Sequence, residues 1–351
     1  MKVLVTGHHG YIGSVLAPML RDAGHDVVGL DMFFYRGCDL GETRDFEPSL
    51  ALDIRDVRPA DLVGFDAVVH LAALSNDPLG DLNADWTYAI NRDGTVSLAE
   101  AAREAGVERF VFASSCSMYG AAQGDAALDE QAPLRPLTPY AESKVAAEEA
   151  LRELAGEDFT PVFMRNATAY GVSPRLRLDV VLNNLVAWAH TTGAIRLQSD
   201  GTSWRPLVHV SDIARATLAL LRAPADVIRG QAFNIGSDAQ NYRIRELAET
   251  VHARLPRCEI EFAEGASADP RSYRVDFSKF ERAFPECRLE WTAERGVDEL
   301  VEAYQAANLT LDDFQGHRFT RLAQLKQLLG QSSLDESLRW ANDAKRISGV
   351  S

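Results

Sequence analysis

Short apolar runs alternate along the chain with longer segments in which apolar residues recur at helical spacing. Residues 2–6 (Lys-Val-Leu-Val-Thr) read as a buried strand, and a periodic helix follows to about residue 23. Pro18 lies inside that helix, removes one backbone donor and frees the Ser14 carbonyl, so a local irregularity is expected there. Residues 26–31, 67–72, 109–114 and 161–165 read as further strands, and 86–105 and 138–154 as helices. This alternation predicts βαβ units and an α/β fold: a Rossmann-type, doubly wound parallel sheet.

The rhythm changes after Gly171. Residues 172–205 carry a proline, paired asparagines and, before Arg205, three arginines (Arg175, Arg177, Arg196). Strands are expected at 206–210, 231–235 and 259–262, and helices at 212–221 and 244–253. The division this suggests is a first domain of residues 1–171 with 206–237 added. A smaller α/β substrate domain takes 172–205 and 238–351. From about Leu309 the sequence is polar and helical, with Phe319, Leu322, Leu325 and Leu328 on one apolar face.

Composition narrows the function classes. The chain has 351 residues, with 46% hydrophobic and 25% charged residues, which suits an ordinary globular protein. Its net charge of −15 argues against a nucleic-acid or anionic-membrane binder, although a local arginine cluster can still hold phosphate. No apolar run reaches the ~18 residues of a membrane span, and the first residues do not resemble a signal peptide. Cys38, Cys116, Cys258 and Cys287 are far apart, so reduced thiols in a cytoplasm are expected rather than disulfides or a metal site.

Candidate chemistry begins at the first strand's end. Gly7-His8-His9-Gly10-Tyr11-Ile12-Gly13 links that strand to the first helix, where glycines let backbone approach a pyrophosphate at the helix N-terminus. Asp31 ends the second strand, 18 residues (31 − 13) past the last glycine, placed to accept from both ribose hydroxyls and to repel a 2′-phosphate. NAD is therefore expected over NADP, with Arg36 the one residue able to soften that preference. His8 and His9 read as loop filler. Tyr140 and Lys144, four residues apart on a helix, share a face, so the ammonium can favour a phenolate.

Further motifs follow in order: Asp53-Ile54; Leu71-Ala72-Ala73; Asn91; Ser114-Ser115-Cys116-Ser117-Met118-Tyr119-Gly120; Arg165 to Gly171; and Arg205 with His209-Val210-x-Asp212. Over roughly residues 1–305, this ordered set resembles the extended short-chain dehydrogenase/reductases. Within them it is similar to the NAD-dependent epimerase/dehydratase group, which modifies nucleotide sugars. The resemblance implies that Asp53 and Ile54 meet the adenine, and that Leu71, Ala72, Ala73 and Asn91 form walls of the NAD site. It implies Ser115 as the catalytic Ser/Thr, Tyr140 as the base, and Lys144 as the residue that binds the nicotinamide ribose and lowers the tyrosine pKa. Thr168, Asn184, Leu185, Arg205 and Arg271 fall at positions that hold the sugar nucleotide. A homodimer built on helices 86–105 and 138–154 is also implied.

The chain departs from the family pattern in three places. Thr168 stands where an asparagine usually touches the substrate diphosphate. Cys116 and Ser117 stand where 4,6-dehydratases carry Asp-Glu, and sugar-acid decarboxylases usually carry glutamate at the Ser117 position, so both reactions are disfavoured. Ser173-Pro174-Arg175-Leu176-Arg177-Leu178-Asp179 resembles a bacterial subgroup that includes GDP-heptose 4-dehydrogenases of surface-polysaccharide pathways. Cys116 reads as a packed, inert thiol. The expected activity is NAD-dependent C4 epimerisation of a nucleotide sugar through a transient 4-keto sugar. The alternatives are a 4-dehydrogenase that releases the ketone, a ketosugar reductase, and a non-enzymatic NAD sensor.

Overall fold

The structure, a computed structural model, describes residues 1–42, 45–75, 83–121, 126–267 and 269–341. Seven strands form one parallel sheet: β1 (Lys2–Thr6), β2 (Asp26–Asp31), β3 (Ser49–Ala51), β4 (Ala67–His70), β5 (Arg109–Ser115), β6 (Thr160–Asn166) and β7 (Ala232–Ile235). Their order is β7-β6-β5-β4-β1-β2-β3, so the chain winds outward in both directions from β1 and β4. This is the doubly wound Rossmann arrangement, whose ligand crevice lies at the carboxyl ends of the strands where the winding reverses.

Alternation along the strands builds a core on each face of the sheet. Val3 and Val5 pack with Leu16, Ala17 and Leu20 of helix α1 (Gly13–Asp22) and with Ile213 and Leu220. Leu4, Val68, Phe110 and Phe112 point the other way, onto Leu98, Ala102, Ala147 and Leu151. The latter belong to α2 (Thr95–Glu104) and α3 (Pro139–Glu153), whereas Ile213 and Leu220 belong to α5 (Val210–Arg222). Full burial of each such side chain stabilises by roughly 1.5–3 kcal/mol. α1 continues through Pro18.

The region 172–205, which has no predicted element, contains helix α4 (Val181–Thr192) and strand Ala194–Leu197. With α6 (Ile244–Arg254) and α7 (Ala293–Ala306), α4 encloses a third core around Leu182, Val186, Leu247, Val297 and Leu300. The expected helix 86–105 is divided: a turn of α-helix at Ala84–Thr87, a π-helical stretch at Tyr88–Gly94, then α2.

The tail, expected with 172–205 and 238–351, packs in two places: Leu309, Phe314 and Phe319 lie in the third core. Leu325 of α8 (Arg321–Gly330), with Leu334 and Leu338, is buried in the core on the α2/α3 face of the main sheet. Phe319 alone of the expected apolar stripe joins the third core, so the stripe spans two cores. No helix of the described residues is long and apolar enough to cross a membrane.

Candidate active site

One cleft of about 1030 Å³ opens along the carboxyl ends of the strands. The sequence-derived candidates Ser115, Tyr140, Lys144, Gly7, Gly10, Tyr11, Ile12, Gly13, Asp31, Asp53, Ile54, Leu71, Ala72 and Ala73 all line it, as do Thr168, Asn184, Leu185, Arg205 and Arg271. Asn91 is the exception.

The glycine loop is built from backbone. Gly7 adopts φ +72°, and a Cβ there would lie 2.7 Å from the Ala72 nitrogen. A Cβ on Gly13 would overlap the Gly7 carbonyl oxygen and the His8 backbone. Gly10 N–H donates to Gly7 O at 3.0 Å, which closes the turn. No side chain caps α1 and no acid occupies its first turn, so no side chain competes with an anion for its positive dipole end, although the Ser14 and Val15 amides already bond Gly10 O and Ile12 O. Asp31 ends β2 with its carboxylate held by the His9 and Phe33 amides at 3.0 and 2.8 Å. An anion cradle followed by an oriented strand-end carboxylate fits a dinucleotide with a free ribose diol. Arg36 lies outside this cleft, over the Phe33 ring and paired with Asp45.

Asp53 reaches the cleft already engaged. It caps the turn Ile54–Asp56 and receives the Arg55 guanidinium, with one contact of 2.6 Å. Asn91 lies behind the wall, fully buried. Its side chain accepts from Leu74 N–H at 2.8 Å and donates to Leu74 O at 3.0 Å, fixing the backbone that follows Leu71-Ala72-Ala73. Its position within the π-helical stretch carries its side chain to that loop.

On the facing wall, Thr138 caps α3 through Oγ1, and Pro139 occupies the first turn, where its missing N–H costs nothing. The helix carries Tyr140 and Lys144 into the cleft. Lys144 is 2% exposed, donates to Ala113 O at 2.8 Å, and sits 5.9 Å from the Tyr140 ring centre. Burial pulls its pKa down to about 7, opposed only by the charge of Glu148. Ser115, at the end of β5, accepts from Ser117 N–H and donates to Ser117 Oγ at 2.9 Å. An ammonium, a phenol and a hydroxyl on one wall can move a proton from a bound alcohol.

Cys116 takes no part in that wall. It is buried, donates to Arg165 O, and burial pushes its thiol pKa well above the usual value. Ser117 lines the cleft but offers only a hydroxyl. Neither position supplies an acid.

At the other end, Arg205 and Arg271 share one counterion. Asp269 accepts from Arg205 Nη2 at 2.7 Å and from Arg271 Nη2 at 2.8 Å. Burial opposes its charge, yet the two guanidiniums hold the carboxyl below its ordinary pKa. Asp269, Arg177, Arg321 and Asn166 also line the cleft and were not among the sequence-derived candidates. Asn166 pairs in register with Ser115, and its side-chain oxygen has no protein partner. The 173–179 segment marked Arg177 as unusual; nothing local in the sequence marks Arg321.

Comparison with known proteins places this cleft in a family. Residues 3–236 match the model of the NAD dependent epimerase/dehydratase family. An uncharacterized UDP-glucose epimerase of Bacillus subtilis, YtcB, is 30% identical over 80% of this chain and 90% of its own. The UDP-glucose 4-epimerase of the same organism is 27% identical over 86% of this chain and 94% of its own. Among solved structures, MoeE5 in complex with UDP-glucuronic acid and NAD superposes with a TM-score of 0.74. It is 28% identical and covers 88% of this chain and 100% of its own. With a glycine cradle, a strand-end aspartate and a family match over most of its length, the chain belongs to the NAD dependent epimerase/dehydratase family of enzymes, and its cofactor is NAD.

Proposed function

We propose that the protein is a nucleotide-sugar 4-epimerase that works through a transient 4-keto sugar. The convergence of Ser115, Tyr140 and Lys144 on one cleft carries this reading, with the glycine cradle at one end and Arg205 and Arg271 at the other. Relatives named as UDP-glucose 4-epimerases support it. In this reading Gly7, Gly10 and Gly13 admit the cofactor diphosphate, Asp31 accepts from the adenosine ribose, and Leu71, Ala72 and Ala73 wall the ring system. Asp53 and Ile54 flank the adenine, and Asn91 acts through the Leu74 backbone.

The substrate diphosphate is held by Arg205 and Arg271, with Thr168, Asn184 and Leu185 on the same side. Tyr140 removes the proton of the sugar C4 hydroxyl, and Ser115 donates to the same oxygen once it releases Ser117. Lys144 in its charged form favours the phenolate, and a bound diphosphate in turn favours the charged lysine. When bound, NAD would supply the hydride acceptor for C4, and inversion would follow where the 4-keto sugar presents its other face before the hydride is restored. Tyr140 then gives its proton back to the new C4 oxygen, so no net redox change occurs. The missing acids at Cys116 and Ser117 leave the neighbouring carbons without a proton donor, which disfavours dehydration.

Tyr140→Phe tests the assignment. Its sugar turnover should fall by about a hundredfold or more, the range for removing a general base, while retained NAD is unchanged. Turnover within a few-fold of wild type refutes the role of Tyr140.

A further inference from the structure

The C-terminal segment brings a buried cation to the cofactor cleft. Arg321, the first residue of α8, is 2% exposed and lines the cleft with the glycine loop. Its Nη2 donates to Arg175 O at 2.8 Å, and its guanidinium lies 4.1 Å above the Tyr35 ring. Its Nη1 is buried with no hydrogen-bond partner. No carboxylate of the described residues forms an ion pair with its guanidinium; Asp179, which accepts from the Arg321 backbone N–H at 3.4 Å and whose charge reaches the guanidinium, is occupied side-on by Arg177, at 2.8 and 3.2 Å. A buried guanidinium without a counterion is costly, so such a site calls for an anion from elsewhere.

The placement of the segment indicates which anion. Gln324 donates to Phe34 O, and Trp340 Nε1 donates to Met32 O. Arg55 donates to Ser337 O, and Trp86 Nε1 to Glu336 O, each pinning the segment to the main-sheet half. Thus residues 321–340 lie against the chain that follows Asp31, at the dinucleotide end of the cleft. Arg205 and Arg271, by contrast, share Asp269 at the far end.

We propose that Arg321 binds the dinucleotide's diphosphate opposite the α1 N-terminus, with Arg177 beside it, making the C-terminal segment a strap that retains the cofactor. This rests on the NAD-dependent reading of the cleft and adds to it a residue outside the matched region 3–236. A charge-assisted contact of this kind accounts for about tenfold or more in affinity.

The test is calorimetric titration of the full-length apo protein with NAD, ADP-ribose and UDP, comparing wild type, Arg321→Gln and Arg321→Lys. The expected result is that Arg321→Gln weakens NAD and ADP-ribose by about tenfold or more, with UDP within about twofold. Arg321→Lys should fall between the two, because it keeps charge but loses the planar fork. Hydrogen exchange gives a second readout that does not require the glutamine variant to match wild-type stability. NAD should slow amide exchange across residues 321–330 in wild type and less so in either variant. NAD affinity within twofold in both variants, or a loss confined to UDP, overturns the proposal. Failure of wild type to bind NAD overturns the cofactor reading as well.

Discussion

The two ends of the cleft are built from different materials. At the dinucleotide end the groups are backbone amides, a helix N-terminus and residues at strand ends, fixed by the two cores of the main sheet. At the other end the groups are long side chains, Arg205 and Arg271, positioned by one carboxylate, Asp269, in the segment after the strand Glu259–Phe262. Backbone on a rigid sheet leaves little room to vary what binds; side chains can be exchanged one at a time, Arg205 on the strand Trp204–His209 as readily as Arg271 on its loop.

Substitutions at each end should separate the two functions. The largest effect is expected from Gly13→Ala, whose Cβ would overlap backbone on both sides. NAD retained through purification should fall below detection, while UDP affinity stays within about threefold, because only the cradle is blocked. Arg205→Ala should do the converse: UDP should bind about tenfold to a hundredfold less tightly, the size of one charge-assisted hydrogen bond, with NAD content unchanged. Mass spectrometry of copurified ligand reads the first, and titration calorimetry the second. Equal losses of both ligands in either variant would show that the two ends are not independent.

A separate effect, on stability and not on binding, concerns the wall between them. Lys144 has a folded pKa of about 7 against 10.5 for an ordinary lysine. Between those values the unfolded chain binds the extra proton, so folding stability attributable to this group rises with pH, at up to about 1.4 kcal/mol per pH unit. Below pH 7 the burial penalty is present in full. Lys144→Met should flatten the dependence of urea-unfolding stability on pH between 7 and 10. An unchanged slope would mean that Lys144 is not held down by burial.

The same contrast explains what the sequence revealed. β1, the glycine loop and α1 follow from strict spacing, because each glycine answers a steric demand within a few residues, and Asp31 follows from the length of one helix and one strand. Tyr140 and Lys144 are legible for a similar reason, since a helix fixes their shared face. Where a contact depends on distant chain, the reading fails. Asn91 meets Leu74 rather than open cleft, whereas Asp53, paired with its neighbour Arg55, still lines it, and the π-helical stretch that carries Asn91 interrupts a sequence with ordinary helical periodicity. Arg321 reaches the cleft from a segment whose local sequence gives no hint of it, and Asp269 lies two residues from Arg271 without a signal of its own. The apolar stripe of the tail was visible, but not that it would divide between two cores.

The central claim is reversible oxidation at C4, and following the C4 hydrogen itself tests it most directly. Wild-type protein would be incubated with nucleotide sugars deuterated at C4, beginning with UDP-glucose, and the products resolved by NMR. The account predicts inversion at C4 with deuterium retained on that carbon and no accumulation of reduced nicotinamide. Stoichiometric reduced nicotinamide with a released 4-keto sugar, or inversion with deuterium lost to solvent, would contradict it.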